Sequence, residues 1–447
     1  MRIFILDWGI LFFMKLLTKA PRGTQDILPK DSYKWRFLEN IMLDQARLYG
    51  FSEIRTPVFE HTELFLRSVG EDTDVVQKEM YTFEDKGGRS ITLRPEGTAG
   101  AVRAMLEHGL FNDPLPLKLC YLSSCYRYEK PQSGRFREFR QFGVEMFGSD
   151  LPVSDAEIIS FANSLFLRLG LENIVLEINS IGCKNCRKNY YKALKEYFCN
   201  KIEHLCDTCK TRLNQNPMRI LDCKNPECKS IAEGAPNILD FICQDCNEHF
   251  SKLKEFLDDA GISYVINPKI VRGLDYYTKT VFEFVSHDEK TFGLVCGGGG
   301  RYNNLVEELG GNPLPALGFG IGLERLLSIL DTQGISIDKP KSCEVYIAPL
   351  DEDFYSKAFI LSNKLKEASI NCQMDIFGRG LKSQLKYADK LNAKFVLTLG
   401  ENEIQSNVAK LKNMETGEQF DIRLDENFLS DFMKIQLDFE TKNIFKR

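Results

Sequence analysis

The sequence predicts an α+β protein in which helices pack on an antiparallel sheet, followed by a smaller α/β domain. Strand-like apolar runs recur along most of the chain, cysteine pairs interrupt them in the middle, and helix and strand patterns alternate near the end. The chain has 447 residues, of which 43% are hydrophobic. This is enough for two or three domains with cores of their own.

A helix is the first element that the pattern predicts, from Tyr33 to Tyr49. Asp31 is placed to cap its start and Gly50 to end it. Its apolar positions fall on one face and are Trp35, Leu38, Ile41, Met42 and Ala46. The strand predicted next carries Pro57, which suits a sheet edge or a subunit contact because proline donates no hydrogen bond.

Five further runs have strand character and lie outside the cysteine-rich middle of the chain. They are Ser90 to Leu93, Leu117 to Tyr126, Gln141 to Phe147, Thr280 to Val285 and Leu294 to Cys296. We predict that they form one antiparallel sheet with helices packed on it.

Arginines are concentrated in the strand-loop-strand segment from Tyr126 to Phe147. They are Arg127, Arg135, Arg137 and Arg140. Forked guanidinium groups bind phosphate oxygens in pairs, so the loop resembles an anion clamp. A solvated basic hairpin is the alternative, and this segment alone does not decide between them.

Two later segments favour the clamp. In Ile270 to Phe284, Arg272 lies at a turn before a strand-like run; in Leu317 to Leu330, a glycine-spaced strand passes into a helix with Arg325 in its early turns. Glycine lets a backbone approach a flat ligand closely. Three arginine-bearing segments, each beside a strand, make coincidence a poor explanation, although each could be core packing by itself.

Cysteines dominate the stretch from about Ser180 to His249. The pairs are Cys183 and Cys186, Cys206 and Cys209, Cys223 and Cys228, and Cys243 and Cys246, with Cys199 left over. Three pairs have the spacing of zinc knuckles, so two four-thiolate zinc sites are arithmetically possible. Disulfides are disfavoured in a reducing cytosol. Buried, inert thiols are the alternative.

After Lys339-Pro340-Lys341 the pattern becomes that of a small α/β domain with a largely parallel sheet. The predicted strands are Glu344 to Ala348 and Phe395 to Leu399, and the predicted helices are Phe354 to Ala368 and Lys382 to Leu391. The formal net charge of the whole chain is −5. Any affinity for nucleic acid must therefore be local.

The apolar start, MRIFILDWGILFF, is neither a signal peptide nor a membrane span by its pattern. It contains Asp7, no small-residue cleavage site follows, and it is too short to cross a bilayer. We expect Met14 to be the true start, with the first thirteen residues disordered or an artefact of start-site choice.

These motifs together closely resemble the histidyl-tRNA synthetases, a family of class II aminoacyl-tRNA synthetases. The loose class motifs are Gly50-Phe51 to Pro57, Tyr126-Arg127-x-Glu129 and Gly318-x-Gly320-x-Gly322-x-x-Arg325; the specific ones are Ala20 to Asp26, Leu93 to Thr98, Arg272 to Tyr277 and Gly298 to Tyr302. The resemblance covers the chain from about Leu17 to the end. Tyr128 and Asn303-Asn304 depart from the usual family pattern without removing a charge that the chemistry needs.

The resemblance implies a cytoplasmic homodimer that uses ATP with Mg²⁺, L-histidine and tRNA(His), with the first class motif at the dimer interface. It implies a catalytic domain at residues 17–179 and 261–338, a cysteine-rich helical insertion at 180–260 and an anticodon-binding domain at 342–447, after an extension at 1–16. No membrane partner is implied. Since many members of the family lack these cysteines, the resemblance gives the zinc hypothesis no support.

The resemblance also implies roles for individual residues. Arg127 and Arg272 would be catalytic, at the α-phosphate and the histidine carboxylate. The other ATP-site residues would be Glu129, Arg135 and Arg325 near the phosphates and Phe139 against adenine. Histidine would be held by Glu145 and Tyr277 at its ring and by Glu96, Gly97, Thr98, Gln141 and Tyr276 around its amino group.

Alternatives remain open at this point. Each arginine could instead form a structural ion pair, and Glu96 could be an ordinary acid at a helix start. The chain could also be a regulatory paralogue that does not charge tRNA, a class II synthetase for glycine, proline or threonine, or an RNA-binding scaffold without activity.

Overall fold

The computed structural model describes residues 17–70, 73–132, 134–340 and 343–444. The expectation for the first thirteen residues lies outside this part. The chain divides into two compact units, with the boundary between Ile337 and Asp338. Among the described residues, every helix is too short or too polar to cross a membrane.

The first unit is built on one large sheet and one small one. Its strands are β1 (Ser52–Glu53), β2 (Phe59–His61), β3 (Tyr81–Glu84), β4 (Ser90–Leu93), β5 (Leu117–Tyr126), β6 (Glu138–Phe147), β7 (Ile174–Ser180), β8 (Tyr264–Ile266), β9 (Thr278–Ser286), β10 (Val295–Arg301) and β11 (Ala316–Gly322). The large sheet has the order β1-β5-β6-β11-β10-β9-β7-β8. It is antiparallel throughout its centre, and β1 and β8 join its edges in parallel. The fold class is as predicted.

Helices cover this sheet. They are α1 (Ser32–Leu48), α2 (Thr62–Val69), α3 (Thr98–Glu107), α4 (Pro152–Arg168), α5 (Lys184–Cys199), α6 (Asp207–Gln215), α7 (Pro226–Ala232), α8 (Gln244–Asp259), α9 (Leu305–Glu308) and α10 (Leu323–Thr332). One core joins α1, α4, α8 and α10 to sheet residues such as Phe142, Phe282 and Phe319. A second core joins the α5–α7 region and α3 to the opposite face of the same sheet, at residues such as Leu119, Phe147 and Val281. The predicted helical character of the cysteine-rich insertion is confirmed.

Helix α1 illustrates why the local predictions succeed. Trp35, Leu38 and Met42 are buried together, as helical spacing requires. Ile41 is only partly buried at the edge of the same core. Asp31 does occupy the N-cap position, but its side chain makes no capping hydrogen bond. The predicted position is therefore right, and the predicted capping interaction is wrong.

Two strand predictions need correction. Pro57 lies in the link between β1 and β2 rather than inside a strand, because its missing N–H cannot join a ladder. Ser90 to Leu93 does form a strand, β4, but it belongs to a separate small sheet of order β2-β4-β3. Phe59 and Tyr81 both pair with Leu93 in that small sheet.

The second unit contains a mixed sheet. Its strands are β12 (Val345–Pro349), β13 (Cys372–Met374), β14 (Phe395–Leu399), β15 (Val408–Asn413) and β16 (Gln419–Arg423), and its helices are α11 (Tyr355–Glu367), α12 (Leu381–Lys390), α13 (Glu401–Ser406) and α14 (Phe428–Ile444). The order is β13-β12-β14-β15-β16. Strands β13, β12 and β14 are parallel to one another, whereas β15 and β16 join the sheet in antiparallel pairs. The prediction of a largely parallel sheet is therefore wrong for β15 and β16.

Candidate active site

A polar cavity of about 140 Å³ opens where β6, β10 and β11 meet the turn before β9. Of the nine residues predicted to bind histidine, eight line it: Glu96, Thr98, Arg127, Gln141, Glu145, Arg272, Tyr276 and Tyr277. The ninth, Gly97, donates its backbone N–H to Gln141 Oε1 at 3.1 Å. The structure therefore brings together residues from four separate segments of the sequence.

Glu145 lies at the bottom of this cavity and is buried. Thr98 Oγ1 donates to its carboxylate at 2.7 Å and Tyr121 OH at 3.0 Å, and Tyr302 OH donates to its second oxygen. The sequence prediction missed Tyr121 and Tyr302 as site residues. Tyr302 had a signal, since it ends the glycine-rich motif that begins at Gly298, whereas Tyr121 lies in an ordinary strand pattern.

Glycines make room for these side chains. A Cβ built on Gly318 would lie 2.0 Å from Glu145 Oε2, and one on Gly298 would lie 2.7 Å from Arg272 Nη1. Any side chain at either position would displace a functional group. The glycine spacing of β10 and β11 is therefore a requirement of the cavity.

Glu96 lines the cavity and is also an acid at a helix start, which was the alternative role considered for it. Its carboxylate accepts the backbone N–H of Thr98 at 2.7 Å and of Ala99 at 2.8 Å, at the first turn of α3. These contacts satisfy donors that a helix start leaves unpaired. The turn that carries Glu96 is thus fixed by its own side chain.

Burial gives Glu145 a pH-dependent effect on stability. It raises the pKa of Glu145 from 4.5 to about 8, although the three hydroxyl donors oppose it. Between those values the native state holds a proton that the unfolded chain releases, so this stabilisation is complete below pH 4.5 and lost as the pH rises through 8.

We therefore expect the free energy of unfolding of the wild type, relative to Glu145→Gln, to fall by about 2 to 4 kcal/mol between pH 5 and pH 8. Glutamine cannot ionise, so the variant lacks this pH dependence. Urea denaturation of both proteins at the two pH values measures the difference. A constant difference would contradict the assigned protonation.

A second cavity of about 450 Å³ adjoins the first and also includes Arg127 and Arg272 in its wall. Glu129 and Arg135 line it as well, on the side of the β5–β6 hairpin. Arg127 donates from Nε to Pro95 O at 2.8 Å, and its Cζ lies 5.5 Å from the centre of the Phe139 ring. Arg127 is thereby placed at the boundary between the two cavities.

Ion pairs account for part of the arginine cluster. Arg135 pairs with Glu129, and Arg272 pairs with Glu283. The other two arginines of the hairpin segment are engaged elsewhere: the Cζ atom of Arg137 lies 3.7 Å from the centre of the Tyr128 ring, and that of Arg140 lies 5.2 Å from the Trp35 ring. Of the four arginines of the hairpin segment, only Arg127 and Arg135 therefore line the larger cavity.

Arg325 lies in the first turn of α10, beneath the loop that carries Arg135. A Cβ on Gly134 would lie 3.2 Å from Arg325 Cγ, and Arg325 Nη1 donates to Val295 O at 3.1 Å. Among the described residues no carboxylate lies within 4.0 Å of its guanidinium group. Burial lowers its pKa, and the positive charges of Arg135 and Arg127 lower it further. This excess of positive charge favours a bound anion.

The eight paired cysteines form two clusters. The first cysteine cluster is Cys183, Cys186, Cys243 and Cys246; the second is Cys206, Cys209, Cys223 and Cys228. Within each cluster all four sulfurs lie within 4.8 Å of one another. Sequence spacing had left open which pairs combine.

The cluster geometry fits tetrahedral thiolate coordination. Zinc–sulfur bonds of about 2.3 Å imply sulfur–sulfur distances of about 3.8 Å. Cys183 and Cys186 are 3.5 Å apart and Cys206 and Cys223 are 3.8 Å apart. Backbone N–H groups also donate to sulfurs, from Cys243 to Cys186 at 3.0 Å and from Cys206 to Cys228 at 3.2 Å. Hydrogen bonds of this kind are typical around metal-bound thiolates.

An antiparallel sheet with an arginine-rich cavity beside a polar amino-acid-sized cavity defines an aminoacyl-tRNA synthetase of class II. The family model for histidyl-tRNA synthetase matches residues 23–326, and that for an anticodon-binding domain matches residues 344–430. The chain belongs to the histidyl-tRNA synthetase family.

Individual proteins that are similar to this chain are histidine–tRNA ligases as well. Histidine–tRNA ligase of Caldanaerobacter subterraneus subsp. tengcongensis is 54% identical over 411 residues, covering 92% of this chain and 98% of that protein. The Clostridium perfringens histidine–tRNA ligase is 52% identical over 417 residues, covering 93% and 99%. The crystal structure of apo S. aureus histidyl-tRNA synthetase is 39% identical with a TM-score of 0.79, covering 93% of this chain and 100% of that one. The chain's activity is the ATP-dependent ligation of histidine to tRNA.

Proposed function

We propose that the chain forms histidyl-adenylate from L-histidine and ATP at the boundary of the two cavities, and then transfers histidine to the 3′ end of tRNA(His). The observation that carries this assignment is that Arg127 and Arg272 belong to both cavity walls. A carboxylate in the smaller cavity and a phosphate in the larger one would meet at these two guanidinium groups.

In this proposal a carboxylate oxygen of histidine attacks the α-phosphorus, and the bond to the pyrophosphate oxygen breaks. Negative charge grows on the phosphoryl oxygens as this happens, and Arg127 and Arg272 offset it. Arg135 and Arg325 hold the leaving pyrophosphate, whose Mg²⁺ enters with ATP as part of the substrate. Phe139 stacks on adenine, and Glu129 orients Arg135.

Histidine recognition is assigned to the smaller cavity. Glu145 and Tyr277 bind the two ring nitrogens, so that an analogue without them leaves buried polar groups unpaired. The α-amino group is held by Glu96, Thr98 and Gln141, with Gly97 and Tyr276 beside them. Tyr121 and Tyr302 orient the Glu145 carboxylate.

Histidine-dependent exchange of pyrophosphate into ATP tests the proposal, with each of the amino acids supplied in turn. We expect exchange with histidine only. Exchange with glycine, proline or threonine would indicate another class II specificity, and no exchange with any amino acid would favour the regulatory or RNA-binding alternatives.

We further propose that each cysteine cluster binds one structural zinc ion. Four thiolates at tetrahedral distances support this. We expect two zinc ions per chain by elemental analysis of protein purified without chelator, and one per chain after Cys223→Ser/Cys228→Ser. Freshly purified protein without zinc would contradict the proposal.

The assembly and domain assignments are also proposals. We assign residues 17–179 and 261–338 to the catalytic domain, 180–260 to the insertion and 342–447 to anticodon binding, after an extension at 1–16. A homodimer through the first class motif is supported by the exposed apolar residues Val58 and Phe59, which follow Pro57 directly. Sedimentation at the mass of one chain would contradict the dimer. We place the enzyme in the cytoplasm, where its charged tRNA is used.

A further inference from the structure

The second cysteine cluster joins the ends of short helical pieces. Cys206 is the N-cap of α6, Cys209 lies in its first turn, Cys223 follows a 3₁₀ turn at Pro217–Ile220, and Cys228 lies in α7. Helix α6 has 9 residues and α7 has 7. Helices this short have little stability of their own, so a shared metal ion would determine how they are placed.

Two arginines lie between the ligands of this cluster. Arg212 is three residues after Cys209 on α6 and therefore on the same face. Its guanidinium donates to Asp74 Oδ2 at 2.7 Å and to the backbone oxygen of Arg219 at 3.1 Å. Arg212 thus fixes the position of Arg219 relative to the metal ligands.

Arg219 binds the loop that carries Arg272. Its side chain is buried, and Nη2 donates to the backbone oxygen of Gly273, the residue directly after Arg272. Its Nε lies 3.6 Å from Asp275 Oδ1, to which Asn216 Nδ2 also donates at 3.2 Å. The residues between Cys209 and Cys223 therefore contact the turn directly after Arg272, at Gly273 and at Asp275.

Arg272 depends on this support because its own contacts are few. It pairs with Glu283, and its Cζ atom lies 5.6 Å from the centre of the Tyr277 ring, while its buried Nε lacks a hydrogen-bond partner among the described residues. The position of its guanidinium therefore depends on its backbone as well as on these two side chains. A misplacement of about 1 Å can cost about 10²-fold in rate when a group must meet a transition state.

We infer that a metal ion in the second cysteine cluster positions Arg272 for adenylate formation, and that Arg219 transmits this effect. The inference rests on the proposed role of Arg272. Arg219 is a positioning residue in it, since it touches the loop rather than the substrates. The first cysteine cluster joins the starts of α5 and α8. Arg187, the residue after Cys186, lines a cavity with Arg272 and Asp275, but among the described residues the hydrogen bond to Gly273 comes from Arg219.

Its test uses the full-length enzyme with three variants: Arg219→Ala, Cys223→Ser/Cys228→Ser, and the two combined. Lys210→Ala, at a half-exposed position of α6, is the matched control. The measurements are zinc per chain, the histidine dissociation constant, and kcat for histidine-dependent exchange. A separate Cys243→Ser/Cys246→Ser variant reports what the loss of the other metal ion does.

We expect Arg219→Ala to keep both zinc ions and bind histidine within threefold of wild type, while kcat falls by about 10- to 100-fold. The Cys223→Ser/Cys228→Ser variant should lose one zinc ion and a similar factor in kcat. The combined variant should lose little more, because both changes break one connection. Lys210→Ala should match wild type. The kcat of Cys243→Ser/Cys246→Ser should be at least tenfold higher than that of Cys223→Ser/Cys228→Ser.

Three results would overturn the inference. They are a wild-type kcat in Arg219→Ala, a loss of kcat in the combined variant equal to the product of the two separate losses, and equal losses of kcat in the two cysteine variants. If the cysteine variant does not fold, Arg219→Ala still decides, since it leaves the ligands in place. The proposed function fails separately, if the wild type shows no histidine-dependent exchange. Normal exchange in the wild type with an unaffected Arg219→Ala rejects the positioning role alone.

Discussion

Replacing Arg272 with alanine lowers kcat for histidine-dependent exchange by about 10³-fold, while histidine binding is partly retained. The reason is that Arg272 lies in the wall of both cavities, where, in the proposed mechanism, it meets the charge that develops on the α-phosphate. An interaction that is strongest in the transition state affects rate more than binding. Exchange kinetics and equilibrium binding of histidine measure the two effects.

Glu283→Gln is the matched control for this variant. It breaks the ion pair with Arg272 but leaves the guanidinium in place. We expect it to reduce exchange by less than tenfold. Equal losses in the two variants would support the structural ion-pair alternative. A loss of histidine binding as large as the loss of rate in Arg272→Ala would also argue against a transition-state role.

Replacing Glu145 with alanine raises KM for histidine by about 10²-fold with a much smaller change in kcat. In the proposed binding mode the variant leaves the imidazole without its partner, and it also removes the acceptor shared by Thr98, Tyr121 and Tyr302. Steady-state exchange at varied histidine concentration measures KM.

Tyr302→Phe provides the comparison, because it removes one donor to Glu145 and keeps the carboxylate. We expect its KM for histidine to lie between those of the wild type and Glu145→Ala. An unchanged KM in Glu145→Ala would show that another group reads the imidazole.

Local pattern predicted several of the long strands but not β7 or β15. β5 and β14 have the predicted bounds, and β9 contains the predicted run with two more residues before it and one after. The short strands β1, β8 and β13 were not predicted, because a run of two or three residues carries no periodic signal. Sheet membership of β4 could not be predicted either, since it depends on which distant strand offers a free edge.

Sequence motifs, and the family resemblance that they carry, predicted which side chains come together in the smaller cavity. Those motifs named the residues that line the smaller cavity but not their partners. Whether Arg137 or Arg140 shares the cavities depends on side-chain direction within the hairpin, and both turn to aromatic rings instead. The pairing of the cysteines required three-dimensional proximity of segments that are distant in the sequence, such as those of Cys186 and Cys243, which are 57 residues apart.

A crystal structure with histidine and a non-hydrolysable ATP analogue tests the central claim most directly. The account predicts one nucleotide spanning the boundary of the two cavities, with Arg127 and Arg272 on its α-phosphate, Arg135 and Arg325 on its outer phosphates, and imidazole against Glu145. A nucleotide bound elsewhere, or one whose α-phosphate contacts neither Arg127 nor Arg272, would contradict it.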